Sequence, residues 1–111
     1  MHRLTTDGLR VVPQTVKAAL RWVHQHHSHH EAPQGARFAV GVANGEHLCV
    51  VALVGSPTAP ELGADPTIAE VTRVASDGST KGAASEAIRA ASRMALAGGY
   101  RRLVSYTLLG E

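Results

Sequence analysis

The run Leu48-Cys49-Val50-Val51-Ala52-Leu53-Val54 constrains this chain more than any other stretch. A strand with one wet face alternates apolar and polar residues. Here neither face is polar, so His47 to Gly55 reads as a central strand covered on both sides. The run from Arg37 to Ala43 is its natural neighbour, because only Asn44-Gly45, the strongest short hairpin signal, separates the two. A chain of 111 residues has room for one such sheet and two or three helices, which predicts a single domain over residues 1–111. With only 4% aromatic residues, its core must be built from Val, Leu, Ile and Ala.

Other elements can be placed around that strand. Leu9 to Val12 predicts a short strand stopping at Pro13, which cannot donate to a ladder. Thr15 is placed as a helix N-cap. Behind it, Val16, Ala19, Leu20, Val23 and His27 recur at the spacing of one helical face, and the helix should fade near His29. The prolines and glycine from Ser56 to Pro66 mark a loop, and Ile68 to Ala75 a further strand. Ser76 to Gly82 is a small-residue turn opening an alanine-rich helix from about Ala83 to Ala97, which Gly98-Gly99 ends. Arg102 to Leu108 predicts the last strand. The expected order is β-α-β-β-β-α-β, an α/β fold with a mixed, mostly antiparallel sheet and helices on both faces.

Cys49 lies within the apolar run, where a buried small hydrophobe fits a reducing compartment. No stretch is apolar for long enough to span a bilayer, and the first residues lack the apolar centre of a secretory signal. The expectation is a cytoplasmic protein with no membrane partner. A formal net charge of +2 permits an anionic ligand without demanding a nucleic acid.

Chemistry concentrates from Val71 through Ser85. A strand ends, a glycine-containing turn follows, and a helix begins with Gly82, Ala83, Ala84 and Ser85. Small residues let backbone N–H groups approach a ligand, and the unpaired donors and dipole of a helix N-terminus favour negative charge. Lys81 adds a cation there, and Arg89 and Arg93 add two more along one face. A pyrophosphate could be held in this way, or the turn could simply join strand to helix. Neither G-x-x-x-x-G-K-[ST] nor G-x-G-x-x-G is present.

His26-His27-Ser28-His29-His30 offers helical i,i+3 and i,i+4 pairs able to share a metal, with Glu31 as the one nearby carboxylate. The same residues can also be read as a solvated helix end, or as an acid or base facing a substrate. The ligand set is incomplete, so no structural metal is expected. Strict alternation puts Glu70, Thr72 and Val74 on one face of their strand and Val71, Arg73 and Ala75 on the other.

The strand, the turn with Gly82-Ala83-Ala84, the helix and then Gly99-Tyr100 before a last strand resemble the middle of a GNAT-type N-acyltransferase domain. In that superfamily the turn carries [QR]-x-x-G-x-[GA] and wraps the pyrophosphate of coenzyme A; Ser79 stands here where Gln or Arg is usual. The chain is also similar to a small GNAT-like group of bacteria and phages akin to Mom-type DNA-modification proteins. That similarity rests on the histidine cluster, on Glu70 to Gly78, and on Tyr100-Arg101-Arg102 leading to Tyr106-Thr107-Leu108.

The resemblance implies transfer of an acyl group from acetyl-CoA or another acyl-CoA to an amine, a nucleobase being one such acceptor. Glu70 or His27 would take the amine's proton, and Arg73 would be a substrate or structural cation. Backbone N–H groups of Val74, Ala75 and Ser76 would polarise the thioester carbonyl. Lys81, Gly82, Ala83, Ala84 and Ser85 would hold the pyrophosphate. GNAT domains continue past this last strand, whereas the sequence stops at Gly110-Glu111. A truncated fold, completion by a second copy in a homodimer, or a non-catalytic binding or regulatory module would each account for that.

Overall fold

The computed structural model describes residues 8–26, 36–57 and 64–105. Its elements run β1 (Leu9–Gln14), α1 (Val16–His26), β2 (Phe38–Asn44), β3 (His47–Gly55), β4 (Ile68–Ser76), α2 (Ala83–Ala97) and β5 (Arg102–Ser105). The strands form one sheet in the order β1-β2-β3-β4-β5. The first three pairings are antiparallel, and β4 with β5 is parallel, joined through α2. The protein is therefore α/β, with a mixed sheet and, among the described residues, two helices.

The apolar run does take the central position. Every residue of β3 from Cys49 to Gly55 is buried, because each face of the sheet carries a helix. On one face Ala83, Ala87, Ala90 and Ala91 of α2 pack onto Val42, Val50 and Val54. Alanine on the inner side lets the helix sit close to a floor of valines, which is how a core with so few aromatic rings closes. On the other face Ala19 and Val23 of α1 pack onto Ala39, Val51 and Leu53. Each buried valine or leucine contributes roughly 1.5–3 kcal/mol.

Helix ends follow local chemistry. Thr15 caps α1 by accepting the Ala18 N–H on Oγ1 at 3.0 Å. At the end of α2, Gly99 takes φ +96° while its N–H reaches Leu96 O at 3.2 Å and the Tyr100 N–H reaches Ala95 O at 3.0 Å. Those two bonds are the Schellman pattern that a glycine one residue past the C-cap permits.

Three expectations need correction. β1 does not stop at Pro13 but runs through it to Gln14. β1 is an edge strand, and Gly45 N–H bonds Gly8 O. Alternation from that bond turns the Pro13 nitrogen away from β2, where no donor is needed. The β2–β3 loop is Gly45-Glu46, not Asn44-Gly45: Asn44 pairs with His47, and Gly45 takes the positive φ of +63°. β4 includes Ser76. The expected end of α1 near His29, His27 itself, and the stretch from Tyr106 to Leu108 lie outside the described residues. No helix among the described residues is long and apolar enough to cross a membrane.

Candidate functional site

Strand β4 carries the site, and a bulge decides which way its residues face. Leu53 pairs with Arg73, but Val54 pairs with Val71, so Thr72 is an extra residue without a partner across the ladder. Its Oγ1 donates to Leu53 O at 3.3 Å. One inserted residue exchanges the two faces of everything before it. Cross-strand partners share a face. Arg73 lies opposite Leu53 and Ala75 opposite Val51, on the α1 side. Glu70, opposite Gly55, comes to that same side, while Val71 and Val74 face α2. The expectation that Glu70 and Arg73 lie on opposite faces is thus overturned. Glu70 is 3% exposed and Arg73 half-buried.

The β4 backbone sorts the three expected amides. Asp77 N–H bonds Cys49 O at 3.0 Å. Antiparallel alternation then gives the Ala75 amide to β3, and turns the Val74 and Ser76 amides the other way, towards the β5 side. Pairing of β4 with β5 extends from Ile68 and Arg102 to Val71 and Ser105, reaching the residue before the bulge.

Beyond Ser76 the chain turns tightly. Ser76 Oγ accepts the Gly78 N–H at 3.0 Å, and Asp77 Oδ1 accepts the Ser79 N–H at 2.9 Å. Gly78 and Gly82 both take positive φ, +79° and +85°. An added Cβ at Gly82 would meet nothing within 4 Å, so the backbone there borders open space. Gly82 is the N-cap of α2 and no side chain caps the helix. Ala83 is a core residue, and Ala84 packs against the same core, whereas Lys81, Gly82 and Ser85 are exposed. The outward surface of the turn is therefore Lys81, Gly82 and Ser85 together with first-turn amides other than that of Ala83, which bonds Thr80 O at 3.4 Å. Arg89 and Arg93 both reach Glu86, at 2.8 and 3.8 Å. Their charge is partly neutralised on the helix rather than standing over the turn.

Sequence reasoning missed what holds this turn in place. His47 Nε2, at the start of β3, lies 2.7 Å from Asp77 Oδ2, and Asn44 Nδ2 donates to Thr80 Oγ1 at 3.4 Å. Burial alone would raise the Asp77 carboxyl's pKa. The bonds from Ser79 and from His47 outweigh it and hold the group below the ordinary aspartate value. No short-range signal marks a pair 30 residues apart. Only the pairing of β3 with β4 brings its members together.

Of the histidine cluster, His26 is described. Its ring stacks on Trp22 at 3.9 Å, and its Nδ1 lies 2.9 Å from Trp22 O. Trp22 packs against the α1-side core. His27 lies outside the described residues. Among the described residues no group of three or more His, Cys, Asp and Glu side chains is placed to hold a metal. Compared with known proteins, the chain matches no family model and no curated sequence.

Proposed function

We propose that this chain is an acyl-CoA-dependent N-acyltransferase of GNAT type, with its phosphate-binding element at the β4–α2 turn. The observation that carries this reading is Gly82. A left-handed glycine bordering open space opens a helix that no side chain caps, directly after a strand whose Val74 and Ser76 amides point away from β3. Helix N-terminal amides and Lys81 suit the pyrophosphate of coenzyme A. The Val74 and Ser76 amides suit the carbonyl oxygen of a thioester, whose negative charge grows as it is attacked.

The chemistry is direct transfer. An amine nitrogen attacks the thioester carbonyl, the C–N bond forms, the C–S bond breaks, and the thiolate leaves and takes up a proton. The amine's own proton goes to Glu70 or to His27. Burial of Glu70 suits a base shielded from water, and Arg73 shares its face of the sheet. The acceptor is an amine, with a nucleobase amino group among those to be tried.

Calorimetry with coenzyme A and acetyl-CoA, followed by a thiol-release assay across a panel of amines, tests the reading. Saturable binding with turnover supports it. Binding without turnover on any amine would make the chain a non-catalytic module. No binding would remove the assignment of the turn.

A further inference from the structure

We propose that His47 and Asp77 form a pH-responsive latch that sets the order of the β4–α2 turn. Both carboxylate oxygens of Asp77 are engaged, and they face different elements. Oδ2 meets His47 Nε2 at 2.7 Å, at the base of the β2–β3 hairpin, and Oδ1 accepts the Ser79 N–H at 2.9 Å, inside the turn. His47 therefore acts on the turn through the orientation of a single carboxylate. The hairpin end is anchored in its turn, since Arg10 Nε of β1 donates to Gly45 O at 3.1 Å. Asn44 to Thr80 is a second, longer tie between the same two segments.

The pair is built to respond to protons. Its carboxylate is largely covered, with 13% of the side chain exposed, while the imidazole is 61% exposed and open to solvent protons. Imidazole is the side chain that changes charge between pH 5 and 8. Neutral, it still donates one hydrogen bond; charged, it makes that bond an ion pair, which is stronger. Protonation of the imidazole thus tightens the turn, and uptake of a proton by Asp77, whose carboxyl is held below the ordinary aspartate value, releases it. Other charged groups on the elements that meet here, among the described residues, are Arg10 on β1, Glu46 in the hairpin loop, Lys81 in the turn and Glu86 in the first turn of α2. Arg10 is bonded to a backbone carbonyl and Glu86 to Arg89 and Arg93. Glu46 and Lys81 carry opposite charges. The latch stands without any ligand; its bearing on coenzyme A rests on the reading given above.

The test is amide hydrogen exchange by NMR on the full chain without ligand, from pH 5.5 to 8, with the intrinsic pH dependence of exchange divided out. In the wild type, protection of the Ser79 amide should be roughly two- to fivefold greater at the acid end, the range an exposed ion pair supports. His47→Gln keeps a donor without a titrating charge, and should leave protection flat across the range. His47→Ala should lower it at every pH, and because the side chain lies at the surface the variant should keep its fold, checked by the rest of the spectrum. Equal pH profiles in the wild type and His47→Gln would overturn the pH response. Unchanged Ser79 protection in His47→Ala would overturn the latch altogether. Neither result depends on whether coenzyme A binds.

Discussion

Two glycines bracket helix α2 with nearly the same backbone, Gly82 at φ +85° and Gly99 at φ +96°, and neither leaves a neighbour within 4 Å of an added Cβ. Their surroundings differ in what the backbone does next. At Gly99 the chain turns its N–H groups back onto Ala95 and Leu96, and the next residues are held by Thr67, whose carbonyl accepts the Arg101 N–H at 2.7 Å. That pole closes on itself. At Gly82 one backbone bond, from the Ala83 N–H to Thr80 O at 3.4 Å, closes the turn, and the other ties run between side chains of the turn and the β2–β3 hairpin without capping the helix. A left-handed glycine alone is thus no sign of a site. What would make it one is donors beside it that stay free of the turn's own bonds, and at Gly82 the Ala83 N–H is already taken by Thr80 O.

The largest effect expected is on chemistry. Replacing Glu70 by Gln keeps its shape and removes the base, so acyl transfer should fall by about 10²–10⁴-fold. Arg101→Gln, a change at the closed pole, should leave transfer as it was. Thiol release under saturating acyl-CoA reads both. Equal losses in the two variants would mean that Glu70 acts through the fold of this end of β4 rather than as the base.

A paired substitution of the glycines comes next. Val at either position must adopt a left-handed backbone, costing about 1–2 kcal/mol of stability in each case. Only Gly82→Val also puts a branched side chain over the outward amides, so coenzyme A affinity should fall at least about tenfold there, the equivalent of one charge-assisted hydrogen bond or more. Gly99→Val should melt earlier and bind as before. Calorimetry and thermal melting on both proteins separate the two effects. Parallel losses of affinity would show that Gly82 acts through stability alone.

The contrast between the poles also explains what could be read in advance. The closed pole and the framework were legible because their signals are local. An unbroken apolar run fixed the central strand, Thr15 the start of α1, and Gly98-Gly99 the end of α2. Pro13 misled because the rule that a proline ends a strand weakens at an edge, and edge position is set by the whole sheet. Glu70 and Arg73 were assigned to opposite faces because alternation assumes an uninterrupted strand, and nothing about a threonine announces that it will be the extra residue of a bulge. His47 and Asp77 are each unremarkable locally. Their partnership exists only once β3 lies beside β4.

The smallest effect expected is on acid stability, and it asks whether the poles are independent. Among the described residues, each pole carries one aspartate held below the ordinary value of 3.8. At the closed pole, Asp65 is lowered first by the hydroxyl and N–H of Thr67, at 2.6 and 2.8 Å, and further by Arg101 and Arg102. At the open pole, burial of Asp77 opposes ionisation but the bonds from Ser79 and His47 prevail. A depressed carboxylate contributes stability that is fully present above its unfolded pKa and is lost as pH falls through the folded one. Both contributions should therefore be intact at pH 5 and fade below about pH 4. Asp65→Asn and Asp77→Asn should each flatten the fall of melting temperature between pH 5 and 2.5. Strand β4 separates the two aspartates by about 30 Å, and among the described residues they have no bonding partner in common. Their effects should then add in the double variant to within about 0.5 kcal/mol. A clear departure from additivity would mean that the sheet transmits strain from one pole to the other, and that order in the turn depends on the far end of β4.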